Sequence, residues 1–399
     1  MRRQSRHREA IAVFLTVVMS SCGALLAAFY IYDPLMVFHA PWGRPLTLHV
    51  SMRLQAAGVV NNMDFDALIL GTSMTENTSA DEAGRILGGR FVNLSITASD
   101  YFERSLVLGH ALRRWSVRQV IYSLDAGVFG RLGHPVFHRE AFDFLYDRNP
   151  FNDFRAYMTP MFMECLFGWS ESEECVGRKV RLDRPNAWYE LPEQAIRFGG
   201  LDNWFRARND WQVKAALASI AQDARRVARG EVAETEAAGR SKAVAEAIEY
   251  VDRYVLRFVE ENPQTRFYLF FPPYSRIRFA QWHQLGMATA DAHEAVVRHL
   301  AEQAGRLPNL EVLGFEDQAF LDDIAHYKDT SHYREDIDSM ILNAIAARTN
   351  RLLAKDVERY VSEARTRALA FDLVGLGRRI EIYLESVGDR AEAAHQVLH

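Results

Sequence analysis

The chain has 399 residues, 49% of them hydrophobic and 12% aromatic, enough to bury a large core and to permit more than one domain. Its formal net charge is -5, with 47 Lys and Arg against 52 Asp and Glu, so it lacks the basic footprint of a nucleic-acid-binding protein. It shows no repeat at solenoid or propeller spacing.

The N-terminus, "MRRQSRHRE", carries Arg2, Arg3, Arg6 and Arg8 against the single acid Glu9, and no charged residue follows from Ala10 to Tyr32. At about 1.5 Å per residue that run makes a helix of roughly 34 Å, long enough to cross a bilayer. Basic residues stay cytoplasmic, which places the body of the chain outside the cytoplasm. A cleaved signal would have a shorter apolar core and a small-residue exit, and the lipoprotein-like Cys22 in "MSSCG" is followed by further apolar sequence. The reading favoured is therefore an uncleaved, single-pass inner-membrane anchor over 10–32, with residues 1–9 as a cytoplasmic tail. Tyr30 and Tyr32, before Asp33-Pro34, mark its interfacial end. Cys165 and Cys175, in "ECLFGWSESEEC", suit a small disulfide loop in an oxidising periplasm, the alternative being two unrelated buried thiols.

Residues 33–64, with Pro34, Pro41 and Pro45, read as an irregular connector. Strand and helix patterns then alternate. "DALILG" (66–71) is a strand, and "SADEAGRIL" is a helix opened by a capping-box pattern, Ser79 with Glu82 three residues on. "RFVNLSI" (90–96) is a second strand, 101–115 a helix, and "VRQVIYSLD" (117–125) a third strand. Nearly all-apolar strands in βαβαβ order want cover on both faces, as in a parallel sheet. The rhythm breaks over a long insertion, about 126–242, which holds Trp169, Trp188, Trp204 and Trp211. These aromatics suit sugar stacking, or simply a core. His134 and His138 in "HPVFH" have i, i+4 spacing, but Pro135 disfavours a helix and a metal site there. A helix at 243–260, the strand of "RFYLFFPPYS" (266–275), a helix at 285–305 and the strand of "NLEVLGF" (309–315) complete five strands. Residues 337–384 read as helical and the last fifteen or so as frayed.

The first strand ends in "GTS", presenting Ser73 at its tip. A serine hydroxyl needs a base to take its proton, and that base is commonly a histidine oriented by a carboxylate. Two D-x-x-H pairs occur late in the chain, Asp323–His326 and Asp329–His332. The first lies in a helix-like stretch, whereas the second sits in the polar loop "DTSHYRED", the setting expected at the carboxyl end of a sheet. The G-x-S turn after strand one, the "NLS" segment at strand two and the late D-x-x-H together resemble the SGNH/GDSL hydrolase superfamily over roughly 65–345. Within it the chain is most similar to membrane-anchored branches such as alginate O-acetylation and teichoic-acid D-alanylation proteins. The resemblance implies a three-layer α/β/α fold, flavodoxin-like, with a five-stranded parallel sheet. It makes Ser73 the nucleophile, His332 the base and Asp329 its orienter, with no cofactor and no metal. Its oxyanion hole would take the Ser73 amide, the amide of Ala98 or Ser99, and a third-block donor. Asp125 stands where that block usually has asparagine, and an ionised aspartate accepts rather than donates.

The expectation is a membrane-anchored periplasmic domain over 65–345, followed by C-terminal helices and a tail over 346–399. It would act as a serine esterase or O-acyltransferase, moving an acetyl or similar acyl group on a cell-envelope glycan, with a membrane acyl-donor protein as a further partner. The alternative is a non-catalytic member that binds a polymer or scaffolds its assembly.

Overall fold

The computed structural model describes residues 2–131, 139–231 and 237–397; His134 and His138 lie outside them. The chain forms helix α1 (Arg2–Tyr32), α2 (Met52–Asn62), β1 (Ala67–Leu70), α3 (Ala80–Leu87), β2 (Phe91–Asn93), α4 (Tyr101–Arg114) and β3 (Gln119–Ser123). Short 3-10 turns between Ala126 and Tyr157 lead to α5 (Pro160–Gly168), α6 (Glu173–Val176), α7 (Pro192–Ala195), α8 (Leu201–Arg206) and α9 (Trp211–Ala228). Then follow α10 (Ala237–Val251), a π-helical turn, α11 (Arg257–Glu261), β4 (Arg266–Phe270), α12 (Arg276–Gln284) and α13 (Ala288–Arg306). The chain closes with β5 (Leu310–Leu313), α14 (Glu335–Ala347), α15 (Val357–Ala370) and α16 (Leu373–Val397).

Two compact units result. The first comprises Met1–Asp64, Leu106–Trp115 and Phe137–Arg181. Its α1 contains the one stretch among the described residues long and apolar enough to span a membrane, His7–Tyr32, whose most apolar part is not buried in protein, while Phe29 and Tyr32 near its end are. Just past α1, Asp33 is buried and its carboxylate accepts the amides of Val37, Phe38 and His39 at 2.9 Å and the Tyr157 hydroxyl. The segment read as an irregular connector thus starts as a loop folded around one carboxylate, and it contains α2. That helix escapes a periodicity reading because Gln55 to Val60 are buried in one unbroken run, with no polar face to set the pattern. Cys165 and Cys175 are disulfide-bonded, with Cα atoms 5.6 Å apart.

The second unit comprises Phe65–Ser105, Ser116–Val136 and Leu182–His399. It holds a five-stranded, wholly parallel sheet in the order β2-β1-β3-β4-β5. Every residue of β1, β3 and β5 is buried, the polar Gln119, Ser123 and Glu311 included, as a parallel sheet covered on both faces requires. α3 packs on β2 and α13 on β5. α3 is capped by Ser79, whose hydroxyl accepts the Glu82 amide at 2.9 Å, but the Glu82 carboxylate takes the Ser339 hydroxyl instead of closing the box. Three other boundaries depart from the sequence reading. The helix at 243–260 is α10 and α11 joined through the π turn of Asp252–Leu256. α12 follows "FFPPYS" directly. α16 continues to Val397, through the residues read as frayed.

Candidate active site

In an open parallel sheet the crevice for ligands lies outside the carboxyl ends of the strands, where the strand order reverses. Here the order reverses beside β1, and Ser73 stands three residues past its last member, Leu70. The turn that carries it needs Gly71, because a Cβ there would meet Thr75 Oγ1 at 2.3 Å and Ser123 Oγ at 2.6 Å. Each carbonyl from Gly71 to Thr75 has a donor. Gly71 O accepts the Ile96 amide at 2.9 Å and Thr72 O the Thr75 amide at 3.0 Å. Ser73 O accepts the Trp188 indole N–H at 2.9 Å, Met74 O the Tyr333 hydroxyl at 2.9 Å, and Thr75 O the Asn93 side chain at 2.7 Å. The serine is held by a turn with no free carbonyl to rearrange around.

The partner loop is 259 positions away in sequence, and Ser73 Oγ lies 2.8 Å from His332 Nε2. His332 Nδ1 lies 2.7 Å from Asp329 Oδ2. Asp329 Oδ1 accepts the amides of Ser331 at 2.8 Å and His332 at 2.9 Å, folding the loop around the carboxylate. An ionised carboxylate only accepts, so Nδ1 carries the proton and Nε2 offers its lone pair to the Ser73 hydroxyl. Burial pushes the Asp329 carboxyl up, but the charge and ring bond of His332 and the two amides outweigh it and hold it well below the usual carboxylate range. The loop is tied to the segment after β4. Ser275 Oγ donates to Thr330 O at 2.7 Å, Arg278 to Thr330 Oγ1 at 2.7 Å, and the Tyr327 hydroxyl to Pro273 O at 2.9 Å. His326, the rival, lies 3.8 Å from Asp323 and against Phe320, and makes no bond with Ser73.

The three expected oxyanion positions differ. Among the described residues the amides of Ser73 and Ala98 donate to no protein acceptor. Ala98 takes a left-handed backbone, φ 54°, unusual for a residue with a Cβ. The Ser99 amide is engaged with Ile96 O at 3.1 Å. Asp125 is buried and accepts Thr72 Oγ1 at 2.8 Å, Ser123 Oγ at 2.7 Å and the Tyr274 hydroxyl at 3.3 Å, and it pairs with the buried Arg104 at 3.3 Å. Its charge is neutralised and its oxygens face protein donors, so it fastens the nucleophile turn to β3.

Trp188 and Lys328 belong to the site although neither stood out by spacing. The indole and the His332 ring meet at right angles, with centroids 5.6 Å apart at 89°, and Phe198 stacks with the indole at 6.3 Å. The buried Lys328 ammonium lies 3.7 Å from the centroid of the indole ring and donates to Gln194 Oε1 at 2.7 Å. Trp188 therefore packs and orients. Trp204 is wholly buried, its N–H given to Tyr327 O at 3.0 Å, while Trp169 and Trp211 are exposed. The one sequence clue to Lys328 is its place directly before Asp329. Among the described residues no three His, Cys, Asp or Glu side chains form a group able to hold a metal ion.

Comparison with protein-family models, with curated proteins and with solved structures returns no match.

Proposed function

We propose that the second unit is a serine hydrolase or O-acyltransferase of SGNH type. The observation that carries this reading is the continuous hydrogen-bonded relay Ser73–His332–Asp329 at the carboxyl end of a parallel sheet. In the reaction, Ser73 Oγ attacks an acyl carbonyl while His332 Nε2 takes its proton. The ester bond to the leaving alcohol breaks as that proton is returned, leaving acyl-Ser73. A water or a sugar hydroxyl then attacks the acyl-serine, with His332 again as base, giving an esterase or a transferase respectively. The free amides of Ser73 and Ala98 would receive the oxyanion. The strand order, with the serine after β1 and the D-x-x-H after β5, supports the SGNH resemblance and the three-layer α/β/α arrangement it implies.

The arginines at the start of α1, ahead of its uncharged stretch, and the disulfide support an anchor whose N-terminus is cytoplasmic and whose body lies in the periplasm of an inner-membrane protein. A surface-glycan ester is the substrate class that such a placement favours. A fluorophosphonate probe on the full-length protein tests the catalytic reading. Labelling lost in Ser73→Ala and His332→Ala is expected. A folded wild type that takes no probe would instead favour a polymer-binding scaffold, a reading drawn from the absence of an asparagine donor where Asp125 stands.

A further inference from the structure

The first unit contains a cavity of 550 Å³, within the roughly 300–1,000 Å³ common for small-molecule sites. Leu54, Phe142, Met161 and Phe162 supply apolar wall, Arg53 and Arg155 supply positive charge, and no carboxylate shares the described lining. Arg155 is exposed, stands over the Phe144 ring at 4.5 Å, donates to Glu140 O at 3.3 Å and makes no salt bridge among the described residues. The cavity is therefore apolar within and cationic at its solvent edge.

Its depth in the membrane follows from α1. The 26-residue span His7–Tyr32 is about 39 Å long at ~1.5 Å per residue, against a hydrocarbon layer of about 30 Å. Counted from Ala10, the first residue past the charged flank, the hydrocarbon ends about twenty residues on, so Phe29 stands at its boundary and Tyr32 at headgroup depth. Both are buried by the first unit. Phe29 stacks on Tyr157 at 5.4 Å and Tyr157 meets the cavity wall at Phe162, 5.5 Å away, while Tyr32 packs on Trp169. A three-ring chain thus runs from the emerging helix to the cavity. Trp42, Phe167 and Trp169 are exposed in the same unit, the residue type that sits at a membrane surface.

We infer that this cavity takes an acyl chain of an anionic phospholipid from the outer leaflet, with Arg155 and Arg53 receiving its phosphate. The inference rests on α1 spanning the membrane, not on the chemistry at Ser73. The full-length protein in nanodiscs is irradiated with phosphatidylglycerol bearing a diazirine near the end of one acyl chain, and crosslinks are mapped by mass spectrometry. Crosslinks are expected on α1 and on the peptides bearing Phe142 and Met161–Phe162. Arg155→Glu should reduce the cavity crosslinks about five- to tenfold while leaving those on α1 unchanged, the scale of losing and reversing one charged contact. Labelling of α1 with none in the cavity overturns the inference. So does equal cavity labelling by a diacylglycerol probe, which lacks the phosphate. Absence of labelling on α1 overturns the membrane span and the inference with it.

Discussion

Asp329 accepts three hydrogen bonds from its own loop, and their joint effect is to keep it ionised and His332 in one tautomer. Asp329→Asn retains the loop's shape but offers an amide to Nδ1, so kcat should fall on the order of 10³- to 10⁴-fold with the melting temperature little changed, measured on an aryl acetate. Lys328 makes a pH-dependent prediction. Burial lowers it from 10.5 to about 8, with Asp329 pulling the other way. Between those values the unfolded chain holds a proton that the folded chain has released, so this residue makes stability rise with pH across the window. Lys328→Met has no such proton. The melting temperature of the wild type minus that of Lys328→Met should therefore climb between about pH 8 and 10.5. A flat or falling difference would show that the ammonium is not desolvated over Trp188.

At the scale of elements, the disulfide closes α5 onto α6 over a separation of 10 residues. Opening it with the Cys165→Ser, Cys175→Ser pair should cost about 3 kcal/mol in the chain-entropy model, read by denaturant unfolding followed through Trp42 and Trp169 fluorescence. Elements became legible in the sequence where one physical rule dominated. β1, β3, β4 and β5 announce themselves as short apolar runs stopped by Gly, Asp or Pro. Ser73 and His332 announce themselves as polar residues where such a sheet presents its loops. α12 does not, because Arg276 and Gln281 are buried beside Ile277, Phe279 and Trp282. Its guanidinium is satisfied by Glu316 O, Gln318 O and Asp322, bonds that no periodicity reveals. Trp188 is a similar case. Its role comes from giving its N–H to Ser73 O across 115 positions, and one of four tryptophans in an insertion carries no mark of that.

In the molecule as a whole, an apolar helix leads into one unit built around its exit, and a second unit holds the serine. A phosphatase reporter that is active only outside the cytoplasm, fused after residue 45, should be active, and an inactive but expressed fusion would reverse the proposed orientation. If Ser73 is a nucleophile, its acyl-enzyme can be trapped. The full-length protein is mixed with p-nitrophenyl acetate, quenched in acid within the first turnovers, digested and analysed by mass spectrometry. One acetyl group is expected on the peptide containing "GTSMTEN", localised to Ser73 and absent from that peptide in Ser73→Ala. A folded wild type with that peptide unmodified, or the same acetylation persisting at a neighbouring threonine in Ser73→Ala, would contradict it.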